Sequence, residues 1–195
     1  MNGIHLLLLF IYSGFTINII LQCAIGIKGV AESKKAIDLE SIIKNLIIFI
    51  TIILMWFVFS RFLYPVIPGI FIYILLFPVS ALVYSYFEYI IFRYLYKKEP
   101  ENDSIISFPG GFTAAAVFIC MNISNNIIET IVLSFGFTSG IFIVNFIITE
   151  IRRRAALEAI PLFLRGKPLV LIAMGLLSLI FTTASLIFFR MINAG

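Results

Sequence analysis

The chain reads as an all-α polytopic membrane protein, with six transmembrane helices arranged as two inverted three-helix repeats. The repeats cover about residues 1–96 and 104–195 of one integral membrane domain. Three observations predict this. Of 195 residues, 62% are hydrophobic and only 12% are charged, a balance that excludes an ordinary soluble domain. Several apolar runs approach or exceed the roughly 20 helical residues that a bilayer core requires. The basic residues are also confined to alternate connections, which six crossings explain.

The first segment, Ile4–Ile27, is interrupted by Asn18 and Gln22 and closes on Gly26 and Gly29. No basic stretch opens it, no small-residue cleavage site precedes Cys23, and Gln22 stands where a lipoprotein signal needs a small residue, so it reads as a helix rather than a leader. The second segment, about Leu46–Leu63, holds the only tryptophan, Trp56. The third, Ile70–Phe92, is entered through Pro65, Pro68 and Gly69 and contains Pro78. The fourth, Phe108–Met121, is apolar but too short to span. It opens with Pro109 and two glycines and continues through Thr113, Ala114, Ala115 and Ala116. A half-length helix in lipid must have its loose end enclosed by other helices, because an unpaired backbone group there costs several kcal/mol. Small residues permit that enclosure. This segment is therefore expected to pack near mid-membrane, where transporters keep their sites. Its other reading is an ordinary helix lengthened by its polar flank. The fifth segment, Ile127–Ile148, carries Gly136-x-x-x-Gly140, and the sixth, Leu169–Phe189, carries Gly175 and Ser178. All three glycines are read as close-packing positions.

Connections 28–45, 93–107 and 149–168 hold twelve of the fourteen basic residues, leaving Arg61 and Arg190 for the opposite side. The positive-inside rule then places these three connections in the cytoplasm and both termini outside. Six crossings divide into three plus three of opposite sense. Segments one and four, the corresponding members, are the short or polar-interrupted ones, which points to a central site between them.

Glu88 lies in Tyr84-Ser85-Tyr86-Phe87-Glu88-Tyr89 near the end of segment three. A carboxylate at membrane depth suggests an ion or proton path; the alternative is a carboxylate reaching the interface, with Arg93 five residues on. Asn18 is a second ion-path candidate, with a helix-to-helix hydrogen bond as its other role. Glu150 followed by Arg152, Arg153 and Arg154 reads as a topology anchor. Cys23 and Cys120 lie in apolar segments without metal-site spacing and read as small buried hydrophobes. His5 is the only histidine. No catalytic constellation and no nucleic-acid signature stands out, so catalysis by this chain alone is not expected.

From Arg152 to Phe181 the chain reads RRRAALEAIPLFLRGKPLVLIAMGLLSLIF. This resembles the last loop and helix of the Rnf complex A subunit and the related Nqr E subunit. The matching features are Arg152-Arg153, Ile160-Pro161, Arg165-Gly166 and the run Ala173–Leu179. Ser134-Phe135-Gly136 with Gly140 is similar to the family's Gly-Phe-Gly segment, and Glu88 falls where the family has a glutamate in helix three. The resemblance implies a subunit of an ion-translocating redox complex coupling electron transfer to Na⁺ or H⁺ movement in a bacterial cytoplasmic (inner) membrane. Its partner would be a sister subunit of inverted topology (Rnf E or Nqr D type), with flavins carried on other subunits. In the family, half-helices one and four each supply cysteine to a [2Fe–2S] cluster shared with the sister. Here the corresponding positions are Lys28 and Ala115, neither of them a thiolate. Cys23 and Cys120 each lie five residues away, about 7.5 Å along a helix and roughly 140° around it, and they are displaced in opposite directions along the chain. No cofactor is therefore expected on this chain. The reading from a different class is a small non-redox transporter or permease component with the same inverted-repeat fold. A third is an assembly scaffold with neither ion nor electron path.

Overall fold

The computed structural model describes residues 3–22, 39–65, 69–96, 108–157, 161 and 166–193. Among these every regular element is a helix: α1 (Gly3–Ile11), α2 (Ile19–Gln22), α3 (Leu39–Val58), α4 (Gly69–Ile91), α5 (Phe108–Ile123), α6 (Ile127–Leu157) and α7 (Lys167–Asn193). Three wider π-turns extend them: Tyr12–Thr16 after α1, Phe59–Leu63 after α3 and Phe92–Tyr96 after α4. Four stretches are long and apolar enough to cross a membrane, Leu39–Leu63, Ile70–Tyr94, Ile127–Ala155 and Lys167–Ile187. Two shorter apolar stretches, His5–Leu21 and Gly110–Ile123, complete the bundle.

Two of the long helices overrun the connections expected from hydropathy. α3 starts at Leu39 and takes in Lys44, whose ammonium meets Glu40 at 3.1 Å one turn back. α6 continues through Arg152–Arg154 to Leu157, with Glu150 paired to Arg154 at 3.2 Å and to Arg153 at 3.4 Å. Such i,i+3 and i,i+4 pairs let a helix persist past its apolar part. α5, at 16 residues, includes the polar flank Asn122. It spans about 24 Å at 1.5 Å per residue, still short of the roughly 30 Å hydrocarbon core.

The core is built on α5 and α6. Phe112, Ala116, Val117 and Cys120 of α5 face Leu133, Phe137, Ile141 and Val144 of α6 in one buried cluster with Ile48, Ile52 and Phe59 of α3. α4 enters through a single stripe, Ile72, Leu76, Ser80 and Tyr84, spaced one turn apart, while Ile70, Phe71, Ile74 and Phe77 point away from it. α7 is more peripheral, burying Val170, Ala173, Met174 and Phe181 and leaving Leu171, Ile172, Leu176, Leu179 and Ile180 outside. An outer surface this apolar suits lipid or another apolar helix, not water.

α1 and α6 run in the same sense and nearly touch. Phe10 stacks on Phe135 at 5.7 Å. A Cβ added at Gly136 would overlap the Ser13 hydroxyl and stand 2.8 Å from the Phe10 carbonyl oxygen. One added at Gly140 would stand 2.9 Å from the Gly14 carbonyl oxygen. Gly14 itself faces the Gly136 carbonyl, 3.2 Å from its own would-be Cβ. The glycines therefore set the approach of two backbones. Gly175 does not: nothing lies within 4 Å of its would-be Cβ, so the packing read for it from sequence is not made within this chain.

Gly136→Ala and Gly140→Ala should each destabilise the purified protein by about 1–3 kcal/mol, the cost typical of overpacking, seen as a lower melting temperature in detergent. Gly175→Ala should leave that temperature unchanged. Equal responses at all three positions would contradict this packing.

Candidate functional site

The first helix stops inside the bundle. The Ile17 amide donates to the Tyr12 carbonyl at 2.8 Å, closing a π-turn, and Ile17 then leaves helical geometry at φ −103°, ψ 56°. Asn18, only 3% exposed, repairs the break. Its Oδ1 accepts the Leu21 amide at 3.3 Å, capping α2. Its Nδ2 donates to the Gly14 carbonyl at 3.2 Å and approaches the Gly140 carbonyl of α6 at 3.5 Å. One side chain thus serves both sides of the interruption and its neighbour. The short α2 lies against α5, α6 and α7.

In α5 the segment expected to matter is packed along one side, with Phe118 exposed on the other. Thr113 is fully buried and donates to the Gly110 carbonyl at 2.8 Å, and Ala114 and Ala116 are buried beside it. Ala115, at the position where the resemblance implies a cluster cysteine, is partly buried against the core. It offers no ligand atom. Cys120 is a free, fully buried thiol beside the Ser134 hydroxyl of α6. The residues of α5 therefore do not fit a [2Fe–2S] cluster at the implied position. Lys28 and Cys23, the corresponding residues of the first segment, lie outside the described residues, among which no group of three or more His, Cys, Asp or Glu converges.

Glu88 is not brought to Asn18. It sits where α4 meets the start of α3, with Lys44 Nζ 3.8 Å from its Oε1 and side-chain exposures of 20% for Glu88 and 36% for Lys44. Lys44 also pairs with Glu40 and lies 5.5 Å from the centre of the Phe92 ring. One turn before Glu88, the buried Tyr84 hydroxyl lies within the influence of its carboxylate but at bonding geometry to no acceptor. Arg93 donates to the Tyr89 hydroxyl and stacks over its ring at 5.4 Å. This end also holds Glu150, Arg152–Arg154 and Lys167, so the described charges gather here.

The opposite end holds a polar cavity of about 780 Å³, which the sequence did not suggest. It opens between the end of α3 (Trp56, Arg61, Tyr64), the start of α4 (Tyr73) and the α5–α6 turn. That turn is firmly built. The Ser124 amide and hydroxyl both donate to the Cys120 carbonyl, at 2.9 and 2.5 Å, and the Asn125 amide donates to Glu129 Oε2 at 2.9 Å. Glu129 is thereby a buried cap on the first turn of α6. The cavity is assembled from three separate stretches and has no signature in the sequence.

Compared with known protein families and with curated proteins, the chain matches none.

Asn18→Ala should destabilise the protein by about 1 kcal/mol through loss of the cap, with Asn18→Ser recovering part of it; thermal unfolding in detergent measures both. Lys44→Met alone should lower the melting temperature more than Lys44→Met combined with Glu88→Gln, because the single change removes the Lys44 ammonium from beside a partly buried carboxylate.

Proposed function

We propose that this chain is a divergent Rnf/Nqr-type integral membrane subunit of an ion-translocating electron-transport complex in a bacterial cytoplasmic membrane. In this reading it keeps the fold and has lost its own cluster ligands. The observation that carries the reading is the interruption of the first helix at Ile17–Asn18, with the following turn set against the short α5 inside the core. Two shortened elements meeting in the interior are the hallmark of inverted-repeat membrane proteins that move ions.

Helix directions support six crossings in two repeats. α1 runs with α6, matching Gly14 to Gly136 and Asn18 to Gly140. α3 and α4 run oppositely, since Lys44 meets Glu88 at one end and Trp56 and Tyr73 share a cavity at the other. Phe15 stacks on Phe181 at 5.5 Å, which sets α7 against α1. Both termini then belong on the Arg61 side, the outer side by the positive-inside rule. The sister subunit of inverted topology would cover the apolar outer faces of α4 and α7. Electron carriers, flavins and clusters, would belong to the other subunits.

A second reading, a small non-redox transporter, is favoured by Ala115, which removes the reason for an electron path while leaving the half-helix architecture intact. Co-purification separates the two. The first reading expects this chain to bring a sister membrane chain with flavin and iron, the iron content being unaffected by Cys23→Ser and Cys120→Ser. A protein that purifies alone as a stable, flavin-free species supports the transporter. Iron that disappears in either cysteine variant would mean that the cluster is held here after all. For the ion path, Glu88→Gln should reduce cation transport by the assembled complex without preventing assembly; unchanged transport would leave Glu88 as a tie between α3 and α4.

A further inference from the structure

We propose that the cavity on the Arg61 side is a binding site for a single anionic group, carboxylate or phosphate, borne by a small amphiphile. This goes beyond the subunit reading and does not depend on it. Arg61 lies in the π-turn that ends α3 and lines the cavity with its guanidinium side chain exposed. Among the described residues it makes no ion pair and no hydrogen bond. The only other described charged side chain near the cavity is Glu129, which is turned inward onto the Asn125 amide. Among the described residues the cavity therefore carries one uncompensated positive charge, which one anionic group neutralises.

The remaining walls suit an amphiphile. Asn125 and Asn126 are exposed at the rim, and their side-chain amides are not engaged with other described residues, leaving N–H donors available to an anion. Trp56, Phe57, Tyr64 and Met121 supply the apolar side. Tyr73 is fixed as a wall: its hydroxyl donates to Asn122 Oδ1 at 3.1 Å, its ring meets Phe118 edge-on at 5.2 Å, and Asn122 is held by its own donation to the Phe118 carbonyl at 2.7 Å. A cleft of about 780 Å³ that combines polar groups with aromatic walls is of ordinary ligand-site size. A guanidinium matches planar carboxylate and tetrahedral phosphate by paired hydrogen bonds. Trp and Tyr at a helix end are also the side chains found at the level of lipid headgroups. The anionic group can thus come from a lipid headgroup or from a soluble metabolite with an apolar portion.

Trp56 is the only tryptophan in the chain, so its fluorescence reports on this cavity without labelling. The full chain in a neutral maltoside detergent is titrated with dihexanoyl phosphatidylglycerol, dihexanoyl phosphatidylcholine, hexanoate and inorganic phosphate. A saturable change with phosphatidylglycerol or hexanoate, weakened at least tenfold by Arg61→Gln and less by Arg61→Lys, supports the site. Response to phosphatidylglycerol alone assigns the anion to lipid; response to hexanoate assigns it to a soluble amphiphile. No saturable response to either, an equal response to phosphatidylcholine, or unweakened binding by an Arg61→Gln protein of unaltered melting temperature overturns the proposal.

Discussion

Inside an apolar bundle a broken helix has no water to satisfy its backbone, and most of the local structure here answers that constraint. The interruption at Ile17–Asn18 exists because a single buried amide can accept from the turn that follows and donate to the turn that precedes. Four buried hydroxyls obey the same rule in miniature, whereas the buried Tyr84 hydroxyl makes no such bond. Thr51, Thr113, Ser134 and Thr138 each donate to a carbonyl three or four residues earlier, so they add polar atoms to the core without leaving any unpaired. At the start of α6, Glu129 does for the Asn125 amide what Asn18 does for Leu21.

That solution governs the packing. An asparagine cap reaches a neighbouring helix only if the two backbones come close, and Gly14, Gly136 and Gly140 provide the room. Interruption and glycine pair are thus one device: replacing Gly140 would press on Gly14 and on the Asn18 amide together. α4 lies closely along α5 and α7 attaches by a narrow stripe, yet both keep broad apolar faces outward, and Gly175, for all its likeness to the other glycines in sequence, lies on such a face.

The helices themselves were readable because they rest on local properties, apolar length and the placement of lysine and arginine. Boundaries were less so: hydropathy ends a helix where charge begins, whereas Glu40–Lys44 and Glu150–Arg154 continue it. Asn18 was visible as a polar interruption, but its function as a cap was not, because the break falls one residue before it and depends on a π-turn with no composition of its own. Glu88 was visible as a membrane-depth carboxylate. Its partner Lys44 lay in a stretch read as loop, so the pair could not be foreseen. The Arg61 cavity was hidden for a stronger reason: its walls come from segments that meet only when α3, α4 and the α5–α6 turn are assembled.

The two polar ends of the bundle are built on opposite principles. At the Lys44–Glu88 end, cations and carboxylates are interleaved along and between helices, and the charges largely answer one another. In the Arg61 cavity one described cation stands among amides and aromatic rings, with the nearby carboxylate already committed to a helix cap. A balanced cluster fixes helices and orientation, and it asks nothing of a ligand. An unbalanced one in a cleft attracts a counter-charge, which is the basis of the anion site proposed here. Among the described residues, the stretch 114–117 inside the bundle carries neither kind of charge, and no thiolates converge. Among the described residues the uncompensated charge therefore sits at the Arg61 end of the bundle and not in its interior.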